Sequence, residues 1–317
     1  MSPARKKIVV VGSSNTDMIV RTSRIPGPGE TLLGGRFFMA AGGKGANQAV
    51  AAARAGGKVT FIARVGNDLF GRRAVQGFRR DGLNVKFITR DSSAASGVAL
   101  IIVDSRGENC ITVAPGVNAK LSTADIRRAG RIIAAADVLL LQLEVPIETV
   151  ALAAAIAAKH GVPVILNPAP ARALPDKLLK NVTFLTPNKT EAEIIVGRKI
   201  KSDSDIEKAA GRLRQKAQAV VITLGARGSY VASTDGVKFI PAFKVKAVDT
   251  TAAGDVFSGA LAVALAEGNP LAKAARFASS AAALSVTRLG AQPSAPFRAE
   301  VEKFLAKQSR PACKEKP

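Results

Sequence analysis

Short apolar segments alternate with longer segments of helical character along most of the chain. Five apolar runs have the length of buried β-strands, at residues 8–11, 138–141, 162–166, 182–185 and 219–223. The alanine-rich residues 149–159 and 271–286 have helical length, and their composition favours core packing. Strands that alternate with helices form a mostly parallel sheet covered on both faces. The pattern therefore predicts an α/β fold.

Two regions depart from this alternation and predict a small antiparallel sheet. Residues 30–38 follow a Pro-Gly turn and are rich in Thr, Leu and Phe. Residues 98–103 and 109–113 are predicted to form a hairpin whose loop spans residues 104–108. We expect the second sheet to occupy about residues 15–40 and 95–115.

The composition is that of a globular protein with a large core. The chain has 317 residues, of which 47% are hydrophobic and 22% charged, so we expect a single domain over residues 1–310 and a polar tail at 311–317. No apolar run approaches the length of a membrane span, and the N-terminus enters a core strand rather than a signal segment. Cys110 and Cys313 lie far apart, so no structural disulfide is expected. These features favour a cytoplasmic location, and an organellar one stays open.

The charge balance is strongly basic. Forty-six Lys and Arg residues against 24 Asp and Glu give a formal net charge of +22, and such a surface attracts polyanions. One Tyr, no Trp and 4% aromatic residues provide no stacking platform for single strands. We therefore predict no specific nucleic-acid site. A basic, polyanion-binding protein on an enzyme-like fold is the non-enzymatic alternative.

The heptad Asp249-Thr-Thr-Ala-Ala-Gly-Asp255 carries the strongest chemical signal. It runs into an apolar helix predicted at residues 256–266, and its small residues Ala252, Ala253 and Gly254 expose backbone N–H groups. A helix N-terminus also carries a partial positive charge, so phosphate binds there. Asp255 beside an anion site is the arrangement of a base that removes a proton from an attacking hydroxyl. An ordinary capped helix start is the alternative for the heptad alone.

A glycine-rich segment opens another predicted helix in the N-terminal half. Gly42 and Gly43 expose backbone N–H groups, and Lys44 and Asn47 carry side-chain donors. Gly45 follows the lysine where a P-loop requires Ser or Thr, so the segment is no P-loop. It is predicted to bind a polar ligand.

Two polar residues follow the first predicted strand. Asn15 and Asp17 are two positions apart and share one face of an extended segment. At the carboxyl end of a central strand they are placed to bind neighbouring sugar hydroxyls. A capping turn is the alternative.

Together with further motifs, these segments resemble the ribokinase-like (phosphofructokinase-B type) family of carbohydrate kinases over nearly the whole chain. The motifs are Gly-Ser-Ser-Asn-Thr-Asp (12–17), Pro-Gly-Glu-Thr (28–31), Gly-Gly-Lys-Gly-Ala-Asn-Gln-Ala (42–49), Asn-Pro-Ala-Pro-Ala (167–171), Thr-Pro-Asn-Lys-Thr-Glu-Ala-Glu (186–193), Thr-Leu-Gly-Ala-Arg-Gly (223–228), the heptad 249–255 and Gly-Ala-Gln-Pro-Ser (290–294). The broader family usually carries Gly where Ala252 or Ala253 stands, and the Ala-Ala form is closer to its ribose kinases. The resemblance implies ATP-dependent phosphorylation of D-ribose at O5, with Asp255 as general base.

The resemblance also implies a sugar site. Its residues are Asn15, Asp17, Gly42, Gly43, Lys44, Asn47, Glu144 and Asp255. Glu144 would accept a hydrogen bond from a sugar hydroxyl, and a capping role before Pro146 is the alternative. A kinase of the same fold for deoxyribose, another sugar or a nucleoside is the enzymatic alternative, because only the sugar end distinguishes these enzymes.

Nucleotide, metal and partner assignments complete what the resemblance implies. The nucleotide residues are Asn188, Thr223, Gly225, Arg227, Gly228, Gly254 and Ser279, and Glu191 would position Mg²⁺ through water. From the residues alone, 188–191 also fits a helix cap and 223–228 a strand-to-strand turn. Backbone oxygens would hold an activating K⁺ at Asp249, Thr251, Ser285, Arg288, Gly290 and Ser294. The implied partners are ATP, ribose and a second copy of the chain, bound through a β lid.

Overall fold

A computed structural model describes residues 4–308. Its strands are β1 Lys7–Val11, β2 Asn15–Arg21, β3 Arg36–Gly42, β4 Lys58–Gly66, β5 Ile88–Asp91, β6 Gly97–Val103, β7 Asn109–Ala114, β8 Val138–Leu141, β9 Val164–Leu166, β10 Phe184–Leu185, β11 Ala219–Thr223, β12 Gly228–Ser233 and β13 Gly236–Pro241. Its α-helices are α1 Lys44–Arg54, α2 Leu69–Arg80, α3 Thr123–Arg128, α4 Gly130–Ala134, α5 Ile147–Lys159, α6 Asp176–Leu179, α7 Lys189–Val196, α8 Asp203–Arg214, α9 Ala253–Ala266, α10 Leu271–Ser285 and α11 Arg298–Gln308. The predicted tail at 311–317 and Cys313 lie outside the described residues.

Nine strands form the large sheet, in the order β13-β12-β11-β10-β9-β8-β1-β4-β5. All neighbours pair in parallel except β11 with β12 and β12 with β13. Alternate side chains of β1 enter two separate hydrophobic clusters, Ile8 and Val10 on one face and Val9 and Val11 on the other. A parallel sheet buried on both faces needs such uniformly apolar strands. The α/β prediction is confirmed.

The strand order reverses between β1 and β8. From β1 the chain builds outward to β4 and β5 on one side, and later from β8 to β11 on the other. Ligands of open α/β sheets bind in the crevice at the carboxyl ends of strands where the order reverses. The residues that leave β1 and β8 at this crevice include Ser13 and Glu144.

The smaller sheet has the order β3-β2-β6-β7. The predicted hairpin is present as β6 and β7, and β2 and β3 also pair antiparallel, whereas the central pair of β2 and β6 is parallel. The strand predicted at residues 30–38 was wrong over residues 30–35, because β3 begins only at Arg36. Gly34 and Gly35 have φ of 98° and 113°, which interrupts the extended backbone there.

Helix lengths follow the sequence pattern closely, but two helices begin earlier than predicted. The apolar stretches starting at residues 49 and 256 belong to helices that begin at Lys44 and Ala253. Their first turns are rich in glycine and polar residues, so the spacing of apolar residues does not reveal that these turns are helical. These two hidden turns carry the predicted ligand-binding motifs.

Within residues 4–308, no helix is both long and apolar enough to cross a membrane. Cys110 is an exposed free thiol on β7. The cytoplasmic location stays a prediction.

Candidate active site

Asp255 lies in the first turn of α9 and is buried. Both carboxylate oxygens accept a hydrogen bond from α1: Asn47 Nδ2 donates to Oδ2 at 2.9 Å, and Gln48 Nε2 donates to Oδ1 at 2.9 Å. Burial raises the pKa of Asp255, and the Lys44 ammonium and the two amides oppose that rise. Each carboxylate oxygen keeps a further lone pair, so the group can still accept a proton from a ligand.

The N-terminus of α9 presents unpaired donors. Among residues 4–308, the N–H groups of Gly254 and Asp255 have no hydrogen-bond partner, whereas Ala253 N–H donates to the Thr250 carbonyl at 3.3 Å. Ala252 has φ 59° and is the N-cap in a left-handed conformation, which costs about 1–2 kcal/mol for a residue with a Cβ. Glycine would adopt the same conformation without that cost. Unpaired N–H groups at a helix N-terminus are suited to binding an anion.

Asn15 and Asp17 lie on β2 at its junction with the large sheet. Asn15 Oδ1 accepts a hydrogen bond from Asn118 Nδ2 at 2.7 Å, which fixes its orientation. Asp17 faces Gly42 so closely that a Cβ on the glycine would lie 2.2 Å from the carboxylate. Burial raises the pKa of Asp17 to about 6, helped by the nearby Glu144 and Asp255 carboxylates. The capping-turn alternative is therefore wrong, because this segment is a strand.

Glu144 joins the ends of β1 and β8. Its Oε2 accepts from Ser13 Oγ and from the Lys44 backbone N–H, the latter at 3.0 Å. The N-cap of α5 is Pro146, without a side-chain cap, so the capping alternative for Glu144 is not what the structure shows. Burial alone lowers the pKa of Lys44, but the surrounding carboxylates, Asp255 and Glu144 first, raise it overall. The lysine is thus held as a cation among acidic groups.

Asn47 was predicted to supply a donor to the ligand, and the structure assigns its amide differently. Its Nδ2 is engaged by Asp255. Its Oδ1 is buried and has no hydrogen-bond partner among residues 4–308. A buried amide oxygen without a donor is costly, and this oxygen is free to accept a hydrogen bond.

Sequence reasoning missed three buried amide residues beside Asp255. Gln48 donates to Asp255 and to Asn167 Oδ1, and Gln142 Nε2 donates to Gln48 Oε1. Gln48 and Asn167 stand inside motifs that carried the family resemblance. Their residue type could have indicated this arrangement, because an amide side chain in an otherwise apolar buried segment needs hydrogen-bond partners.

A cavity of about 560 Å³ lies on the other side of the α9 N-terminus. It is lined by predicted nucleotide residues: Thr223, Gly225, Gly228, Gly254 and Ser279. Phe243, Lys244 and Phe257 also line it and were not predicted. Two predicted nucleotide residues, Asn188 and Arg227, are absent from its wall. The exposed Arg227 side chain pairs with Asp203 at the start of α8. Residues 223–228 form the turn that joins β11 to β12, and this turn also borders the cavity, so both readings of this segment hold.

Asn188 and Glu191 form a reciprocal cap on α7. Asn188 Oδ1 accepts from the Glu191 N–H at 2.8 Å, and Glu191 Oε2 accepts from the Asn188 N–H at 2.8 Å. The Thr223 N–H donates to the Pro187 carbonyl, which ties this cap to the cavity wall. Burial raises the pKa of Glu191, and its charge interacts with Lys44. The cap and the predicted phosphate-side role are compatible, because the carboxylate retains lone pairs.

Asp249 links two of the other residues predicted around K⁺, Thr251 and Gly290. Its Oδ1 accepts from the Thr251 N–H at 2.9 Å and its Oδ2 from the Gly290 N–H at 2.8 Å. These bonds lower the pKa of Asp249 against the effect of burial. Ser285 and Ser294 turn their hydroxyls to carbonyls of their own segments, and the Arg288 side chain pairs with Glu300.

Side chains alone do not build a metal centre in the described part of the chain. Within residues 4–308, no group of three or more His, Cys, Asp or Glu residues is placed to hold a metal ion. Any cation at the two predicted positions would rely on backbone oxygens, water or substrate phosphates.

The fold and the site define a class. A parallel sheet with a ligand crevice at its order reversal, a buried carboxylate beside unpaired helix N–H groups and an adjoining cavity together describe an α/β phosphotransferase. Residues 5–298 match the model of the pfkB family carbohydrate kinases. The chain belongs to this family, and the resemblance seen in the sequence is confirmed.

Individual relatives cover nearly the whole chain. The ribokinase of Haemophilus influenzae is 45% identical, over 95% of this chain and 99% of its own length. The deoxyribokinase of Salmonella typhi is 38% identical, over 94% and 98%. The structure of Arabidopsis thaliana ribokinase complexed with ribose and ATP has a TM-score of 0.88 and 32% identity, over 95% of this chain and 99% of that one.

Proposed function

We propose that this chain transfers the γ-phosphoryl group of ATP to O5 of D-ribose, giving D-ribose 5-phosphate and ADP. One observation carries the proposal: the Asp255 carboxylate is held by the sugar-side helix α1 and sits at the N-terminus of α9, which borders the nucleotide-sized cavity. The similarity to ribokinases, one of them bound to ribose and ATP, supports the choice of substrates.

The chain's own residues account for the chemistry. Asp255 takes the proton from O5 as this oxygen attacks the γ-phosphorus in line, which contributes about 10²- to 10⁴-fold. The unpaired N–H groups of Gly254 and Asp255 stabilise charge on the transferred group, each worth about 10²- to 10³-fold. No covalent phosphoenzyme is needed, because O5 of ribose attacks the γ-phosphorus of ATP directly and Asp255 only takes the proton.

Ribose is favoured over deoxyribose by the density of fixed polar groups. Asn15 and Asn47 are hydrogen-bonded to Asn118 and Asp255 before any ligand arrives, and the Asp17 carboxylate lies close against Gly42. Buried polar groups reject a ligand that lacks a matching hydroxyl, because one partner is then left without a hydrogen bond. Because one relative of the chain is a deoxyribokinase, the comparison of ribose with 2-deoxyribose tests this preference directly.

Two cations belong to the proposal. Mg²⁺ bound with ATP would neutralise charge on the phosphates, and Glu191 would hold it through water, which suits an ion that keeps several waters. The Glu191 oxygens already accept bonds from Asn188, and this arrangement leaves room for water-mediated contact rather than a crowded inner shell. Backbone oxygens of the segments joined by Asp249 would hold K⁺, so that the cation stiffens the loop leading into the α9 N-terminus.

We also propose that the smaller sheet acts as a lid and joins two copies of the chain. Strand register places Phe37, Met39 and Leu100 on the face opposite Asp17, together with Met18 and Val20. The first three side chains are 58%, 44% and 55% exposed. A continuous exposed apolar sheet face is unfavourable in water unless a partner covers it, and a second copy offers the same apolar face.

The decisive experiment measures ADP release with ribose, 2-deoxyribose, fructose and adenosine, with Mg²⁺ and with or without K⁺. Ribose-dependent turnover that K⁺ stimulates is the expected result. A preference for another acceptor would keep the family chemistry and overturn the assignment to ribose. Turnover that ignores K⁺ would overturn the cation assignment alone.

A further inference from the structure

A row of buried amides stands behind Asp255 on the side away from the cavity. Gln48 and Gln142 are fully buried and Asn167 is nearly so. Gln48 Nε2 lies 2.9 Å from Asp255 Oδ1 and 3.0 Å from Asn167 Oδ1, and Gln142 Nε2 lies 2.6 Å from Gln48 Oε1. Buried amides are costly unless their polar groups are paired, and within this row only Gln142 Oε1 has no hydrogen-bond partner among residues 4–308.

The direction of the Gln48 amide is fixed by chemistry. An ionised carboxylate only accepts hydrogen bonds, so the nitrogen of Gln48 must face Asp255. The two N–H groups of that nitrogen donate to Asp255 and Asn167, and the Gln48 side-chain oxygen accepts from Gln142. Turning the amide over would place its oxygen against two acceptors and its nitrogen against a donor.

The row is anchored on the large sheet and on α9. Asn167 Nδ2 donates to the Thr186 carbonyl at 2.9 Å, just beyond β10. On the helix side, Gly259 of α9 approaches the Gln48 backbone so closely that a Cβ would lie 2.6 Å from the Gln48 carbonyl oxygen. The absence of a side chain at residue 259 therefore lets α1 and α9 approach closely enough for the Gln48 amide to reach Asp255.

We propose that Gln48 is a positioning residue for Asp255, whose amide keeps the carboxylate ionised and fixes Oδ1, so that the remaining lone pairs face the acceptor hydroxyl. The kinetic consequence rests on the proposed function, whereas the effect on Asp255 itself does not.

The electrostatic surroundings make such a donor necessary. Burial raises the pKa of Asp255, and the Glu144 carboxylate raises it further. Lys44, Asn47 and Gln48 act in the opposite direction. Asp17 on β2 and Glu191 on α7 are further acidic groups around Lys44, so its positive charge is shared among several carboxylates. A direct donor to Oδ1 acts on Asp255 without being shared with those carboxylates.

The test compares the titration of the Asp255 carboxyl carbon by ¹³C NMR in the wild-type protein and in Gln48→Met, with the signal assigned through Asp255→Asn. Gln48→Met keeps an unbranched side chain and removes the donor, so the pKa of Asp255 is expected to rise. Gln48→Asn keeps an amide, but its side chain is one methylene too short to reach Oδ1 of Asp255. If Gln48→Met does not fold, the titration of Gln48→Asn provides the test. Thr149→Val is the matched control, because it removes a buried hydrogen bond, to the Leu121 carbonyl, far from Asp255 in the sequence and on another helix.

The expected outcome is a higher pKa of Asp255 in both Gln48 variants and an unchanged one in Thr149→Val. Turnover should fall by about 10-fold, the scale of one hydrogen bond to a charged group, with recovery as the pH is raised above the new pKa and with little change in KM for ribose. An Asp255 pKa equal in wild-type and Gln48 variants would overturn the proposal. Should the wild-type protein not phosphorylate ribose, the proposed function fails while the NMR comparison still decides the role of Gln48.

Discussion

Asn47 Nδ2 lies 2.9 Å from Asp255 Oδ2, although 208 positions separate the two residues in the chain. The contact joins the first turns of α1 and α9, the two helices that begin with the glycine-rich motifs. One carboxylate is therefore shared by the helix that faces the acceptor pocket and the helix that presents N–H groups to an anion. Under the proposed function, this sharing would place proton removal and phosphate stabilisation within one hydrogen-bonded unit.

Asp255→Asn should lower turnover by at least about 10²-fold, because the variant cannot accept a proton from the acceptor hydroxyl. Binding of ATP, measured by calorimetry, should change little, since the cavity wall and the free N–H groups remain. Asp235→Asn, at an exposed acid in the turn between β12 and β13, is the control for the loss of one negative charge. Near-normal turnover in Asp255→Asn would remove this residue as the base.

Gly254→Ala should damage nucleotide use without damaging the fold. A Cβ at this position would meet no atom within 4 Å and would project into open space at the cavity wall. We expect the KM for ATP to rise by about 10-fold or more, the effect of one carbon in a fitted pocket, with an undiminished Tm. Gly77→Ala on α2, where the added carbon also meets nothing, should stabilise the helix and leave the KM unchanged. Equal KM values in both variants would argue against close approach of the phosphates to residue 254.

Asp17→Asn should stabilise the protein at neutral pH and not at acid pH. Burial raises the pKa of Asp17 from the ordinary 3.8 to about 6, so the folded state holds a proton that the unfolded state releases. The stability from this group is therefore present below about pH 4 and is lost as the pH rises through 6. The variant should unfold with a free energy higher by on the order of 1 kcal/mol at about pH 7.5, while its KM for ribose rises. Urea unfolding of the wild-type protein and the variant, at about pH 7.5 and below about pH 4, provides the measurement. A difference in unfolding free energy that is the same at both pH values would contradict the shifted pKa of Asp17.

Leu100→Asp should separate a dimer into monomers. Its side chain is 55% exposed on the face of the smaller sheet opposite Asp17. A carboxylate buried there at a subunit contact would be strongly unfavourable. Light scattering coupled to size-exclusion chromatography would give the mass. Val237→Asp, at a similarly exposed position of the edge strand β13, should leave the mass unchanged. A monomeric wild-type protein would refute the lid dimer outright.

Asp249→Asn should weaken K⁺ stimulation. The two carboxylate oxygens of Asp249 draw Thr251 and Gly290 together, and an amide can replace only one of those acceptors. We expect the K⁺ concentration for half-maximal activation to rise by about 10-fold, the cost of one charge-assisted hydrogen bond. Turnover at saturating K⁺ should be largely restored. A variant that responds to K⁺ like the wild-type protein would place the cation elsewhere.

Local chemistry in the sequence predicted much of this arrangement. Asn188 and Glu191 form the expected reciprocal cap, and residues 219–223 form the expected strand, because both features depend on neighbours in the chain. The strand expected at residues 30–35 failed because the backbone at Gly34 and Gly35 adopts a conformation that the Thr and Leu content of the segment did not reveal. Arg227 shows the same limit for a side chain, since its partner Asp203 belongs to another helix.

The sequence by itself determined the main alternation of strands and helices, the family the chain belongs to and the segment of small residues at which α9 begins. These properties are encoded locally, in apolar period, glycine content and capping residues. Only the tertiary structure decided how the polar groups pair. Asn47 donates its amide N–H to Asp255 and leaves its oxygen without a partner among residues 4–308, and Gln142, Gln48 and Asn167 form a hydrogen-bonded row that reaches the same carboxylate. Pairing depends on distances between residues far apart in the chain, which sheet order and helix packing fix and which a local pattern does not contain.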